Sequence, residues 1–196
     1  MQFYIKTDAN KDIGSGHLQR CLNLAEFLKS EHDVTFIFCN TSNLIINEVK
    51  KNFKTIVFQD NKNLLDEIKK NLKKNKYNFL ILDDYSTNYT WEKAIYNHFS
   101  KVLVIGDHLN KKHYCDFYLN QNIIDDKSQK SLLKKFSSIK CLLGPKYALL
   151  DKNYLRYARK ERNQIYLKNI IISFGGSDKE NLTDKVLSIL SQKKFN

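Results

Sequence analysis

The chain of 196 residues sets 33 Lys and Arg against 21 Asp and Glu, is 42% hydrophobic, and holds one Pro and six Gly at a mean hydropathy of -0.52. That composition can bury a core and excludes collagen-like, low-complexity and disordered chains; the length suits one domain, or one domain with part of another. No apolar run reaches the ~20 residues of a membrane span, and the opening MQFYIKTDAN reads as a strand rather than a leader, so a cytoplasmic protein without membrane contact is expected.

The elements alternate in chain order. Residues 3–7 read as a strand, 17–30 as a helix with Leu18, Cys21, Leu22, Leu24, Ala25 and Leu28 on one face, and 34–38 and 54–58 as strands. A helix is expected over 62–75, then strands at 78–83 and 101–105, a short strand near 116–119 and a helix near 128–136. CLLG precedes Pro145, a helix is expected over 150–163, a fresh strand over 169–174, and a helix from about 179 to 193. Near-continuous apolar strands separated by helices imply an α/β fold, a parallel sheet covered on both faces with right-handed crossovers. Such sheets bind ligands beyond the carboxyl ends of their strands.

The net charge of +12 comes almost wholly from Lys, with Arg only at positions 20, 156, 159 and 162. Lys scattered over amphipathic helices keeps a surface solvated, whereas nucleic-acid readers favour guanidinium forks, so no nucleic-acid partner is expected. The field still concentrates anionic substrates. Cys21, Cys39, Cys115 and Cys141 form no CxxC pair and stand at no metal-ligand spacing; they read as reduced, mostly buried thiols.

Chemistry is expected at the carboxyl edge of the sheet. In the loop DANKDIGSGHLQRC, Gly14 and Gly16 bracket Ser15, and free N–H groups at the following helix start attract an anion. The loop lacks the third glycine of the dinucleotide fingerprint, and no acidic residue closes the second strand, which disfavours a nicotinamide enzyme. His17 is either a proton carrier near neutral pH or a capping or core histidine. Asp83 and Asp84 end one strand and Asp107 another, where a carboxylate can bind sugar hydroxyls, orient an imidazole or cap a helix. His32 reads as surface, His98 as structural, and His108 and His113 as solvated loop residues. The turn FGGSD (174–178) repeats the first loop's logic as a diphosphate cradle or a capped turn.

Taken together, IGSGHLQRCLNLA, LDDYS, CDFYLNQN, LLGPKYALLDKNY and IISFGGSDKENLT resemble, in order and spacing over nearly the whole chain, the nucleotide-sugar hydrolases of pseudaminic acid biosynthesis, relatives of the MurG-like glycosyltransferases. The resemblance implies a GT-B architecture of two facing Rossmann-like domains. Residues 1–148 would form the sugar-binding domain, 149–164 a linker helix, and 165–196 the first βα unit of an incomplete nucleotide-binding domain. It also implies a substrate, UDP-2,4-diacetamido-2,4,6-trideoxy-β-L-altropyranose, cleaved at the anomeric C–O bond without metal or cofactor, with His17 moving the proton. Gly14, Ser15, Gly16, Arg20, Asp84, Tyr85, Asp107 and Tyr147 would touch the sugar, and Gly175, Gly176, Ser177 and Asp178 the diphosphate. The chain departs from the family pattern at Lys6, Gly106, Lys146 and Asp151. A second polypeptide completing the nucleotide domain is one expected partner; an inverting glycosyltransferase and a noncatalytic binding module are the alternative functions.

Overall fold

Runs such as VTFIF and NFLILD place β-branched and aromatic side chains on both faces of an extended backbone, and such segments are stable only in the middle of a sheet covered on both sides. The computed structural model, which describes residues 1–7, 16–39, 41–58, 63–72, 77–157, 170–174, 178 and 180–192, places them there. The strands are β1 (Gln2–Thr7), β2 (Asp33–Cys39), β3 (Lys54–Phe58), β4 (Asn78–Asp83), β5 (Lys101–Ile105), β6 (Phe117–Asn120) and β7 (Lys140–Leu143). All pair in parallel in the order β3-β2-β1-β4-β5-β6-β7, as in a Rossmann-like sheet.

Two core layers follow from the alternation of side chains along each strand. One face carries Ile5, Phe36, Phe38 and Ile81 under α1 (Gly16–Leu28) and α2 (Asn43–Lys50), which contribute Leu18, Cys21, Ala25, Ile46 and Val49. The other carries Ile37, Leu80, Leu82 and Val104 under α3 (Leu64–Asn71), α4 (Tyr89–Tyr96) and α5 (Asp126–Lys135), which contribute Leu64, Ile68, Ile95 and Leu132. Successive crossovers run outward from β1 on one face and outward from β4 on the other, so the strand order reverses between these neighbours. Doubly wound sheets bind ligands at such a reversal, which here lies beyond Thr7 and Asp83, register partners on β1 and β4.

Helices α2 and α4 lie between the elements read from sequence. Each has only eight residues, too few turns to impose a clear 3.6-residue period. Helix α4 starts on Asn88, whose side chain accepts the Trp91 N–H at 3.0 Å, and α5 on Asp125, which accepts the Ser128 N–H at 3.0 Å. All four cysteines are free, and Cys21, Cys39 and Cys115 are buried, as expected. No described helix is long and apolar enough to cross a membrane.

The last part of the chain departs from expectation. Residues 152–157 form a 3-10 helix rather than the opening of an α-helix, and 158–163 lie outside the described residues. Residues 170–174, read from sequence as a strand, make no ladder with any described strand; an isolated β-run has no partner for its N–H and C=O groups. Helix α6 (Leu182–Ser191) follows, and Ile171, Leu187 and Ile189 are exposed.

Candidate functional site

Side-chain parity at the switch point sorts the charged residues into two groups. Ile5, Thr7, Ile81 and Asp83 share the α1 face, while Lys6 and Leu82 turn to the other face and Asp84 joins them there. In α1, His17, Arg20 and Cys21 are spaced at i, i+3 and i+4, so they descend together onto the α1 face. They converge on Asp83, which is fully buried.

Arg20 closes a two-pronged fork on Asp83, with Nε to Oδ2 and Nη2 to Oδ1 both at 2.5 Å. The same guanidinium donates to Asp107 Oδ1 at 3.0 Å and Oδ2 at 3.1 Å. His17 lies between the two carboxylates, Nδ1 3.4 Å from Asp83 Oδ1 and Nε2 3.9 Å from Asp107 Oδ2. Nδ1 is buried without an aligned hydrogen-bond partner among the described residues. The Tyr85 ring meets the imidazole edge-on, centroids 4.4 Å apart, and its hydroxyl donates to Asp107 Oδ2 at 3.0 Å. Proton carriers commonly show such long contacts before substrate tightens them.

The electrostatics follow from this packing. Burial opposes the Arg20 charge, but its bonds and attraction to Asp83 and Asp107 override that and raise the guanidinium above its usual value. Burial alone would raise the Asp107 carboxyl; Arg20, with help from the Tyr85 hydroxyl, holds it below the usual range. Burial, then the charge of Asp107, raises the Tyr85 phenol. Burial beside Asp83 also pushes the Cys21 thiol far up, so Cys21 is no thiolate nucleophile. Among the described residues no group of three or more His, Cys, Asp or Glu is arranged to hold a metal ion.

The structure brings His17, Arg20, Tyr85 and Asp107 together. Asp84 turns to the other face of the sheet, yet it lines the same depression as Tyr85 and Asp107. Asp84 forms a buried ion pair with Lys6 and accepts the Ser86 N–H at 2.6 Å, fixing the loop that carries Tyr85. Asp83, the neighbouring carboxylate, is the one that faces His17, because adjacent strand residues point to opposite faces. Gly14 and Ser15 lie outside the described residues; a Cβ on Gly16 would meet nothing within 4 Å. Tyr147 packs on the α1-side core in the 3-10 turn Pro145–Tyr147. Asp178 caps α6, accepting the N–H groups of Leu182 at 2.8 Å and Thr183 at 3.0 Å, while Gly175, Gly176 and Ser177 lie outside the described residues.

The other histidines divide as well. His98 is structural, bonded through Nε2 to the Leu72 carbonyl, and His32 stacks half-buried on Phe3. His108 is exposed, 5.5 Å from the Tyr85 ring. His113 is not solvated: its side chain is only 9% exposed, because Glu92, an α4 residue out of view in a linear reading, meets it from below. A depression beside the cluster is lined by Tyr85, Thr87, Gly106, Asp107, His108 and Lys111. A larger cleft of about 460 Å³ between α4, the 112–115 segment and α5 gathers tyrosines but no such convergence of charge.

Comparison with known proteins adds a chemical context to this geometry. No protein-family model matches the chain. It is 31% identical to the Methanocaldococcus jannaschii protein described as uncharacterized protein MJ1062, over 98% of this chain and 40% of that protein. It is 29% identical to the UDP-2,4-diacetamido-2,4,6-trideoxy-β-L-altropyranose hydrolase of Campylobacter jejuni, over 100% of this chain and 68% of that enzyme. Both are relatives. The chain thus spans 40% of the first relative and about two thirds of the second.

Proposed function

We propose that this chain is the sugar-facing part of a nucleotide-sugar hydrolase acting in the cytoplasm, and that its substrate is UDP-2,4-diacetamido-2,4,6-trideoxy-β-L-altropyranose, an intermediate of pseudaminic acid biosynthesis. The observation that carries the reading is His17, seated between the carboxylates of Asp83 and Asp107 at the switch point of the sheet. The 29% identity to the Campylobacter enzyme named for that reaction, over this whole chain and 68% of that enzyme, supports it.

In this reading His17 accepts a proton from water as its oxygen attacks the anomeric carbon on the side opposite the diphosphate. The anomeric C–O bond breaks, its electron pair leaves with UDP, and the sugar is released with inverted configuration. Asp83, held by the Arg20 fork, keeps the ring oriented and stabilises the imidazolium that forms. Asp107 and the Tyr85 hydroxyl, on the open side, offer partners to the sugar. A diphosphate leaves readily, so orienting water and meeting developing charge are the main demands on the protein.

The test supplies the UDP-linked sugar to the wild-type chain and to His17→Ala and reads UDP release. General-base loss is expected to slow release by about 10²–10⁴-fold with the fold retained. Release unchanged by the substitution would reject His17 as the proton carrier. Free sugar formed with no acceptor present separates hydrolysis from glycosyl transfer.

A further inference from the structure

The segment 106–116 leaves the carboxyl end of β5 and returns as β6, carrying Asp107, His108 and Lys111 past the candidate site. Asp107 bonds Arg20 and Tyr85, and Lys111 Nζ sits 5.3 Å from the Tyr85 ring centroid. Loops that carry polar groups to a site are held in place only if something rigid pins them. Several ties are exposed, among them Lys135 Nζ to the carbonyls of Leu109 and Asn110. One pair is anchored on a fully buried side chain.

Glu92, in the first turn of α4, has no exposed surface and spends both carboxyl oxygens on this segment. Oε1 meets His113 Nδ1 at 2.8 Å, and Oε2 accepts the Tyr114 N–H at 2.7 Å. The His113 ring stacks on Tyr118, centroids 5.2 Å apart. Tyr118 in turn donates to the His108 carbonyl at 3.3 Å and presses on Gly106, where an added Cβ would lie 2.7 Å from its ring. Glu92 and His113 also line the depression that Tyr85, Asp107 and Lys111 border. A continuous buried chain therefore runs from α4 through His113 and Tyr118 to the two residues on either side of Asp107.

We propose that Glu92 is a positioning residue: through His113 and the Tyr114 N–H it sets the height of the 106–113 arm, and so the placement of Asp107 and Lys111 over Tyr85 and His17. The inference rests on the reading of the His17 cluster as the reaction centre. Removing the carboxyl leaves the His113 ring and one buried N–H unpaired, and the arm relaxes toward solvent. Gln at the same position can keep both bonds: its carbonyl accepts the Tyr114 N–H, and its NH₂ donates to a His113 tautomer whose Nδ1 carries the lone pair.

The experiment compares Glu92→Ala, Glu92→Gln, His113→Ala and, as a control, Val49→Ala in the remote α1-side core. Two quantities are read: UDP release from the UDP-linked sugar, and the titration of the Tyr85 phenol by NMR, which reports Asp107 contact without any turnover. Glu92→Ala and His113→Ala are expected to return Tyr85 toward the ordinary tyrosine value near about 10 and to lower kcat/KM on the order of 10²-fold, as expected for a misplaced site group. Glu92→Gln and Val49→Ala should leave Tyr85 in place. Folded Glu92→Ala or His113→Ala protein with wild-type Tyr85 titration overturns the proposal, as does a control that shifts Tyr85 equally. Wild-type chain that releases no UDP removes the activity readout, while the Tyr85 titration still decides the role of Glu92.

Discussion

Two sets of buried ionic groups meet at the carboxyl edge of the same sheet, one on each face, and they do different work. On the α1 face, Asp83 is shared by Arg20, His17 and Cys21 and opens toward Asp107, 22% exposed, and the exposed Tyr85. On the opposite face, Lys6 and Asp84 close on one another, as do Glu92 and His113, with no exposure above 9%. The first set holds an imidazole between two carboxylates; the second holds the loops on which Tyr85 and Asp107 ride. The two imidazoles are equally dry, each side chain 9% exposed against a carboxylate at 1%; the sets differ in that the first continues outward through Asp107, 22% exposed, and the second does not.

That division can be broken from either side. Asp83→Ala leaves a buried guanidinium with Asp107 alone and should cost about 3–5 kcal/mol in urea unfolding, with loss of UDP release. Asp84→Ala breaks the buried pair with Lys6 and should destabilise the fold in urea unfolding, yet leave the NMR signals of the His17 ring close to wild type. Equal shifts of His17 in the two variants would erase the distinction between the faces. Gly106→Ala, which drives a methyl into the Tyr118 ring, should cost about 1–3 kcal/mol.

Titration sharpens the contrast. Asp107 has a folded value below its unfolded value near about 3.9, so its contribution to stability is present above that pH and is lost as pH falls through the lowered folded value. Tyr85 is raised, so its contribution is present below about 10 and lost as pH rises through the raised value. Asp107→Asn should flatten the acid limb measured by unfolding across pH and return Tyr85 toward its ordinary value. The smallest effect is expected at Ile171→Ser, since Ile171 is 93% exposed: a change within about 0.5 kcal/mol by thermal unfolding.

Much of this was legible in one dimension. The strands from β1 to β6, the amphipathic α1 and the placement of His17, Asp83 and Asp107 at one edge follow from apolar runs and their spacing, because burial on both faces leaves few other uses for such segments; β7, only four residues long in KCLL, did not stand out. LDDYS does not tell which of Asp83 and Asp84 faces α1, since both stand at a strand end and only the phase of the pleat separates them. Residues 170–174 show the opposite failure: IISF has strand composition, but a ladder needs a neighbour, and none of the described strands lies beside it.

What the amino-acid order determined alone was the parallel sheet, the edge where the charged side chains collect and the imidazole at the helix start, all consequences of local periodicity. Which carboxylate faces that imidazole, why His113 is dry, and how Glu92 reaches the arm over the site were decided by tertiary packing, because these contacts join residues 21 to 66 positions apart through strands and helices whose phases only the assembled sheet sets.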